Sequence, residues 1–343
     1  MRKVNITRPG STKRLVIEAG PDPKPGARDV LIDVAYAGVN FADLVVRMGL
    51  YKSAREYVGW PITPGFEVSG TIGGVGADVS NFHTGDRVVG VTRFGGYASQ
   101  ISLPEAQVVR LPQTVDLAAA AGFPVANLTA WYALHDQCRL RPGDSVLIHS
   151  AAGGVGSALV QLAKRAGLHT VGVVGSTHKI ETVAALGADA IIDKSREALW
   201  PAVERASPRG YHAVFDANGA ETLRESYRHL CSRGRLVVYG FHTMLGRGSD
   251  RLPLLRALFG LLRTPRFSPL SMTDENKGVV AFNLSYLFDE LPLFQPAIAE
   301  LIEALGRGEL KAPPVTQVPF DNVQESHRLL HSGTTVGKVV LAF

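Results

Sequence analysis

Through the first 125 or so residues, apolar positions fall in short runs at 30–34, 70–72, 87–91 and 107–111, broken by Gly and Pro. Runs of that length between turn-forming residues predict strands, and together a compact β-rich lobe. From Leu128 the rhythm changes. Apolar β-type segments at 146–149, 170–174, 190–192, 213–215 and 236–239 alternate with helical patterns at 158–166, 180–186 and 223–231. Such alternation predicts a parallel sheet covered on both faces. After Pro296 the spacing of Ile298, Leu301, Ile302 and Leu305 predicts an amphipathic helix ending near Gly306 and Gly308. Residues 315–318 and 338–341 then read as strands again, so the tail is expected to return to the first lobe. Neither internal repeats nor low-complexity segments interrupt this plan.

Composition narrows the picture without changing it. At 343 residues the chain exceeds one ordinary core, since domains run to about 100–200 residues. With 45% hydrophobic and 20% charged residues, it has globular rather than disordered usage. The formal net charge of +5 comes without any Lys/Arg-rich run, so a nucleotide phosphate satisfies the bias and nucleic acid is not an expected partner. Cys138 and Cys231 are far apart, giving neither a disulfide framework nor metal-ligand spacing; a reduced, cytoplasmic setting is expected. The first twenty residues lack the apolar core of a secretory signal, and no uncharged window of about 18 apolar residues exists to span a membrane.

The chemistry concentrates after the first strand of the second half. The run Val146-Leu-Ile-His149 leads directly into Ser150-Ala-Ala-Gly153-Gly154-Val155-Gly156 and then a helical pattern. Glycines at a strand-to-helix turn let the backbone approach a pyrophosphate, and the helix N-terminus offers free amides with partial positive charge. Here Gly153 permits the close approach and Gly156 the packing of helix on strand, while Ala151 stands at the usual first glycine. A purely structural turn would share part of this pattern. About 20 residues on, where an acid reads the ribose in NAD-binding sites, the stretch is Gly175-Ser176-Thr177-His178-Lys179. It holds no carboxylate and offers two hydroxyls and an ammonium, a set compatible with a 2′-phosphate. NADPH is therefore expected over NADH, with Lys194 as a further phosphate contact. Ser176 as a helix cap and Lys179 as a solvated side chain are the alternatives.

Taken in order, Asn40-Phe-Ala-Asp43 with Arg47 and Tyr51, Pro64-Gly-Phe-Glu67 with Gly70, Gly85-Asp-Arg-Val88, Thr129-Ala130, Pro142-Gly143 and residues 151–156 resemble the zinc-independent quinone oxidoreductase branch of the medium-chain dehydrogenase/reductase superfamily. Residues 252–269 and 281–287 are similar to its vesicle amine transport protein-like subgroup. The resemblance implies an α/β architecture. A GroES-like catalytic domain formed by 1–125 and 293–343 would enclose a doubly wound Rossmann domain at 126–292, with a substrate cleft at their junction. It also implies a homodimer, joined near residues 279–284. No metal site is expected: Asn40 follows Val39 where a ligand cysteine belongs, Phe66 replaces the histidine before Glu67, and the four-cysteine lobe is missing.

Without a Lewis acid, alkoxide stabilisation is lost and conjugated substrates fit better, because hydride addition spreads charge onto a distant oxygen. The expected substrate is a small electrophile, a quinone or α,β-unsaturated carbonyl. An enoyl-thioester reductase and a catalytically idle NADPH-binding protein associated with membranes or vesicles are the competing functions. Tyr51 is the candidate hydrogen-bond donor, or else an aromatic lining the site. Asn40 would orient the substrate or the nicotinamide ribose, or be a left-handed turn residue. Thr129, opening a helix, would contact the nicotinamide amide or cap that helix. Asn218-Gly219 and Gly240-Phe241 follow strands at their carboxyl ends, where open sheets bind ligands, though each could be an ordinary turn. The resemblance adds Phe282, Leu284 and Lys338 as cofactor neighbours. Asp43 and Arg47, spaced i, i+4, read as a surface ion pair. Residues 249–265 are expected to form one short helix, its arginines beside a leucine-rich face. Contact with a membrane surface is the less favoured of its uses, against covering the cleft or lying between subunits.

Overall fold

The computed structural model describes residues 1–242, 260 and 262–343. Its chain gathers into two units, Met1–Leu128 with Leu284–Phe343, and Thr129–Asn283. Most of the helix expected at 249–265 lies outside the described residues.

Unit 1 contains β1 (Arg2–Asn5), β2 (Val16–Ala19), β3 (Asp29–Val39), β4 (Glu67–Val75), β5 (Arg87–Val91), β6 (Gln100–Pro104) and β7 (Val108–Arg110). Unit 2 contains β8 (Ser145–Ile148), β9 (His169–Val174), β10 (Ala190–Asp193), β11 (Tyr211–Asp216), β12 (Leu230–Val238) and β13 (Gly278–Ala281). The tail brings β14 (Val315–Pro319) and β15 (Lys338–Ala342) back to unit 1.

In unit 1 the main sheet runs β14-β15-β3-β4-β5-β7, with β6 also on β3. Alternate positions of these strands, among them Val30, Ile32, Val68, Ile72, Leu103, Val339 and Leu341, are buried in one core, as period-two patterning requires. The tail enters this core through β15, antiparallel to β3 with Val339 opposite Val39. The return begins at Leu284 rather than at 293, because Ser285 donates to the buried Ser53 hydroxyl at 2.8 Å and Tyr286 to Glu56 at 2.7 Å.

Among the described residues unit 2 forms a six-stranded sheet ordered β10-β9-β8-β11-β12-β13, parallel throughout. By chain order within the unit this is third-second-first-fourth-fifth-sixth, the doubly wound arrangement whose order reverses beside the first strand. Leu147, Val171, Val214 and Leu236 are fully buried between sheet and helices. Continuous apolar runs, legible in the sequence, are what a strand covered on both faces needs.

Candidate active site

In unit 2, β8 ends at Ile148 and the helix Gly154–Arg165 starts six residues on, with Gly153 at its N-cap in extended conformation. The amides of Gly154, Val155 and Gly156 fall in the first turn, where no intrahelical acceptor exists. Gly156 has to be glycine: a Cβ there would lie 2.2 Å from the Ser150 carbonyl oxygen and 2.8 Å from the Ala151 Cα. At Gly153 the same atom would come within 3.2 Å of that carbonyl. Helix and strand therefore touch through bare backbone, and the first-turn amides lie at the carboxyl end of the central strand. This cradle fits a dinucleotide pyrophosphate, whose charge the helix N-terminus favours.

Ser150, not singled out in the sequence, holds a left-handed backbone at φ 55° and donates its hydroxyl to Asn218 Oδ1 at 3.2 Å. Asn218 is in turn fixed by Asp216, which is fully buried and whose Oδ1 accepts the amides of Asn218 and Gly219. The other Asp216 oxygen accepts from Thr222 and Ser226. His149 meets Ser226 at 3.0 Å, and burial holds its pKa down, so the ring stays neutral. The turns at 218–219 and 240–241 pack on each other: a Cβ on Gly219 (φ 93°) would come 2.7 Å from the Phe241 ring, and Gly240 lies against Ala217. Phe282 stacks edge-on with Tyr132, centroids 4.8 Å apart, while Leu284 opens the turn Leu284–Tyr286 of unit 1.

At the end of β9, Gly175 and Ser176 precede a short turn at Thr177–Lys179, and the Ser176 side chain makes no capping bond. The stretch itself is free of carboxylates, but the parallel register places Asp193 of β10 opposite Val174. A carboxylate from the neighbouring strand thus stands beside a stretch that contains none. Thr177 donates to Asp193 Oδ2 at 2.7 Å, and Ser195 gives Oδ1 both its hydroxyl and its amide. These bonds, the hydroxyls of Ser195 and Thr177 first, lower the Asp193 pKa and keep it ionised. Thr177 is thus committed to the acid. Arg196, missed in the sequence, donates to the same Thr177 hydroxyl at 3.0 Å. The Arg196 guanidinium therefore stands beside a satisfied carboxylate, while Lys179 ends the turn Thr177–Lys179 and Lys194 follows the last residue of β10.

Unit 1 carries a second cluster. The Lys338 ammonium, 5% exposed, donates to Asn40 Oδ1 at 2.6 Å and to Glu67 Oε1 at 2.8 Å. Asn40 Nδ2 also reaches Glu67 Oε1 at 2.8 Å, and the Val125 amide binds Oε2. Asn40 is extended, φ −113°, at the N-cap of the helix Phe41–Arg47, so it is not a left-handed turn residue. Its amide and the Lys338 ammonium are bound to Glu67, which limits what either can offer a ligand. Tyr51 precedes the helix Lys52–Tyr57 without a side-chain capping bond and packs edge-on against Phe66 and Phe94, at 5.9 and 6.4 Å. Thr129 lies within the helix Pro124–Trp131 instead of opening one, which removes the capping role.

Asp43 and Arg47 are not a surface pair. Both are fully buried, because the short helix that carries them packs against the helix Val323–Ser332 and puts Val46 into the unit 1 core. Asp43 accepts the Asn40 and Gly65 amides, each at 2.8 Å, and Arg47 donates to the Gly10 carbonyl at 2.7 Å. Burial pushes the Asp43 carboxyl from 3.8 up to about 7, against those hydrogen bonds. A folded pKa above the unfolded one means the native state holds a proton that the unfolded chain releases in this window. Stability from Asp43 is then complete below pH 4 and declines as pH rises to about 7. Urea unfolding should show wild type ahead of Asp43→Asn by a wider margin at pH 5 than at pH 8, and a margin independent of pH would contradict the burial effect.

Two family models match the chain, an Alcohol dehydrogenase GroES-like domain over residues 26–113 and a Zinc-binding dehydrogenase over 154–266. The rat Synaptic vesicle membrane protein VAT-1 homolog is 32% identical over 345 residues, covering 99% of this chain and 84% of the relative. The chain belongs to the medium-chain dehydrogenase/reductase superfamily. Its GroES-like and Rossmann-type units are the fold of that family, and it is an oxidoreductase of it with VAT-1 homologues among its relatives. A quinone oxidoreductase of Pseudomonas syringae is 27% identical with TM-score 0.86, over 100% of this chain and 99% of its own. A mycobacterial protein solved as a complex with NADPH is 28% identical with TM-score 0.85, over 100% of both chains.

The zinc that the family model names does not suit the residues here. Asn40 and Glu67 are bridged by the Lys338 cation, and Phe66 offers no donor atom. Among the described residues no group of three or more His, Cys, Asp and Glu is placed to hold a metal, whereas zinc requires three or four such ligands. No described helix is long and apolar enough to cross a membrane.

Proposed function

We propose that this chain is an NADPH-dependent reductase of quinones or α,β-unsaturated carbonyls that works without zinc. The observation carrying this reading is the bend at 153–156, with bare first-turn amides beside a corner holding Ser176, Lys179, Lys194 and Arg196. The NADPH complex of the mycobacterial relative and the name of the Pseudomonas relative support it. When bound, NADPH supplies the hydride.

The chain's own work is positioning and charge management. Gly154, Val155 and Gly156 hold the pyrophosphate; Ser176, Lys179 and Arg196 receive the 2′-phosphate, with Lys194 beside them. Asn218, fixed by Asp216 and Ser150, and Gly240 with Phe241 line the carboxyl ends of the strands. Phe282, Leu284 and Thr129 are assigned to the nicotinamide end. Tyr51, whose ring is braced by Phe66 and Phe94, donates to the oxygen on which charge develops. Asn40 and Lys338 orient Glu67 and one another, and their part in substrate contact is indirect.

Among the described residues β13 ends the sheet with one edge unpaired, and a homodimer joined along it is proposed. The free thiols of Cys138 and Cys231 suit a cytoplasmic setting.

NADPH oxidation against a panel of quinones, enones and enoyl-CoAs tests the function. Turnover of quinones or enones is expected; turnover of enoyl-CoAs alone makes the chain an enoyl-thioester reductase. No turnover with tight NADPH binding and lipid pelleting would overturn the reading in favour of membrane association. Lys179→Glu places a carboxylate against the 2′-phosphate, so NADPH affinity should fall by about 100-fold, the loss of one charge-assisted bond plus repulsion. NADH affinity should change little, and an unaltered NADPH/NADH ratio would refute the phosphate assignment.

A further inference from the structure

At the opposite ends of the unit 2 strands from the glycine bend, four arginines share one depression. It has a volume of about 210 Å³ and is lined by Arg139, Arg141, Arg233, Arg235, His212 and Cys138, together with Leu140. Nothing in the proposed reduction uses it. We propose that this depression is a binding site for a phosphate monoester, separate from the dinucleotide.

The charge count carries the argument. Asp144, just before β8, is the carboxylate of this cluster, and it is already taken by the Arg233 guanidinium at 2.5 Å, the Arg141 amide at 2.9 Å and His212 Nε2 at 3.4 Å. His212 adds no charge: its Nδ1 accepts the Ser145 amide at 3.0 Å, so the ring proton sits on Nε2 and points to Asp144. Burial also lowers the His212 pKa. Arg139, Arg141 and Arg235 have no carboxylate within ion-pair distance among the described residues. Three uncompensated guanidinium groups around one hollow repel one another, and a dianion there would relieve this while accepting forked hydrogen bonds.

The backbone supports the assignment. Arg233 occupies the left-handed region at φ 64° although Gly234 is its neighbour, a conformation costing an arginine about 1 kcal/mol or more. Here β12 slips its register against β11, between Tyr211 and Ala213. The Arg233 amide donates to the Asn276 carbonyl at 2.6 Å, and its side chain meets Asp144. The kink thereby holds Arg233 and Arg235 at the same hollow. Its volume, several times the roughly 30 Å³ of one water, admits a phosphate with a short organic substituent.

The test is thermal unfolding under titration with inorganic phosphate at constant ionic strength, using wild type, Lys179→Glu and Arg139→Glu/Arg235→Glu. Phosphate should raise the midpoint of wild type and of Lys179→Glu alike. The arginine variant should need at least about tenfold more phosphate, the loss of one charge-assisted bond, while its NADPH affinity stays unchanged. An equal phosphate response in the arginine variant, or a response abolished by Lys179→Glu, would overturn the site. Flotation with phosphatidic acid vesicles but not phosphatidylcholine, lost in the arginine variant, assigns the phosphate to a lipid headgroup. A phosphate response without flotation assigns it to a soluble ester.

Discussion

Gly156→Ala is expected to lower NADPH affinity by at least about 100-fold, because two charge-assisted amide bonds of roughly 1.5–3 kcal/mol each lose their alignment. The added Cβ would meet the Ser150 carbonyl at 2.2 Å and the Ala151 Cα at 2.8 Å, both backbone atoms with no rotamer to change. The helix Gly154–Arg165 must then move off β8, carrying its first-turn amides with it. Overpacking of this kind also costs about 1–3 kcal/mol of stability. Calorimetric titration and thermal unfolding measure the two effects separately; NADPH affinity within threefold of wild type would remove the bend from the cofactor site.

The second large effect is expected at Lys338→Met. Glu67 is fully buried and Lys338 nearly so, and deleting the ammonium leaves the carboxylate with only the Asn40 amide and the Val125 N–H. Breaking a buried pair from one side costs about 3–5 kcal/mol, whereas replacing both partners is often close to neutral. Lys338→Met should therefore destabilise strongly in urea unfolding, and Lys338→Met/Glu67→Gln should recover most of the loss. A single variant costing less than about 1 kcal/mol would make the pair a weak, solvated contact.

The parts of the fold set by local pattern were legible. Strand–helix alternation after Leu128 implied the parallel sheet, and the glycines of 153–156 sat where a strand turns into a helix, with spacing alone marking Gly156 as a packing position. The network around Glu67 was not legible, since Lys338 is 271 positions away in the chain and meets it only because β15 lies beside β3. Asp193 and Arg196 were hidden for a related reason: their place beside Thr177 follows from the β9–β10 register, which no local window contains. Asp43 and Arg47 misled because i, i+4 spacing describes a helix face without saying whether water or protein covers it. Thr129 misled because a helix crossing from one unit to the other leaves no break in the apolar pattern.

A crystal soaked with NADPH gives the most direct measurement. The pyrophosphate should lie against the amides of Gly154, Val155 and Gly156, with the 2′-phosphate between Ser176, Lys179 and Arg196. Cofactor bound elsewhere, or a 2′-phosphate turned away from all three side chains, would contradict the account.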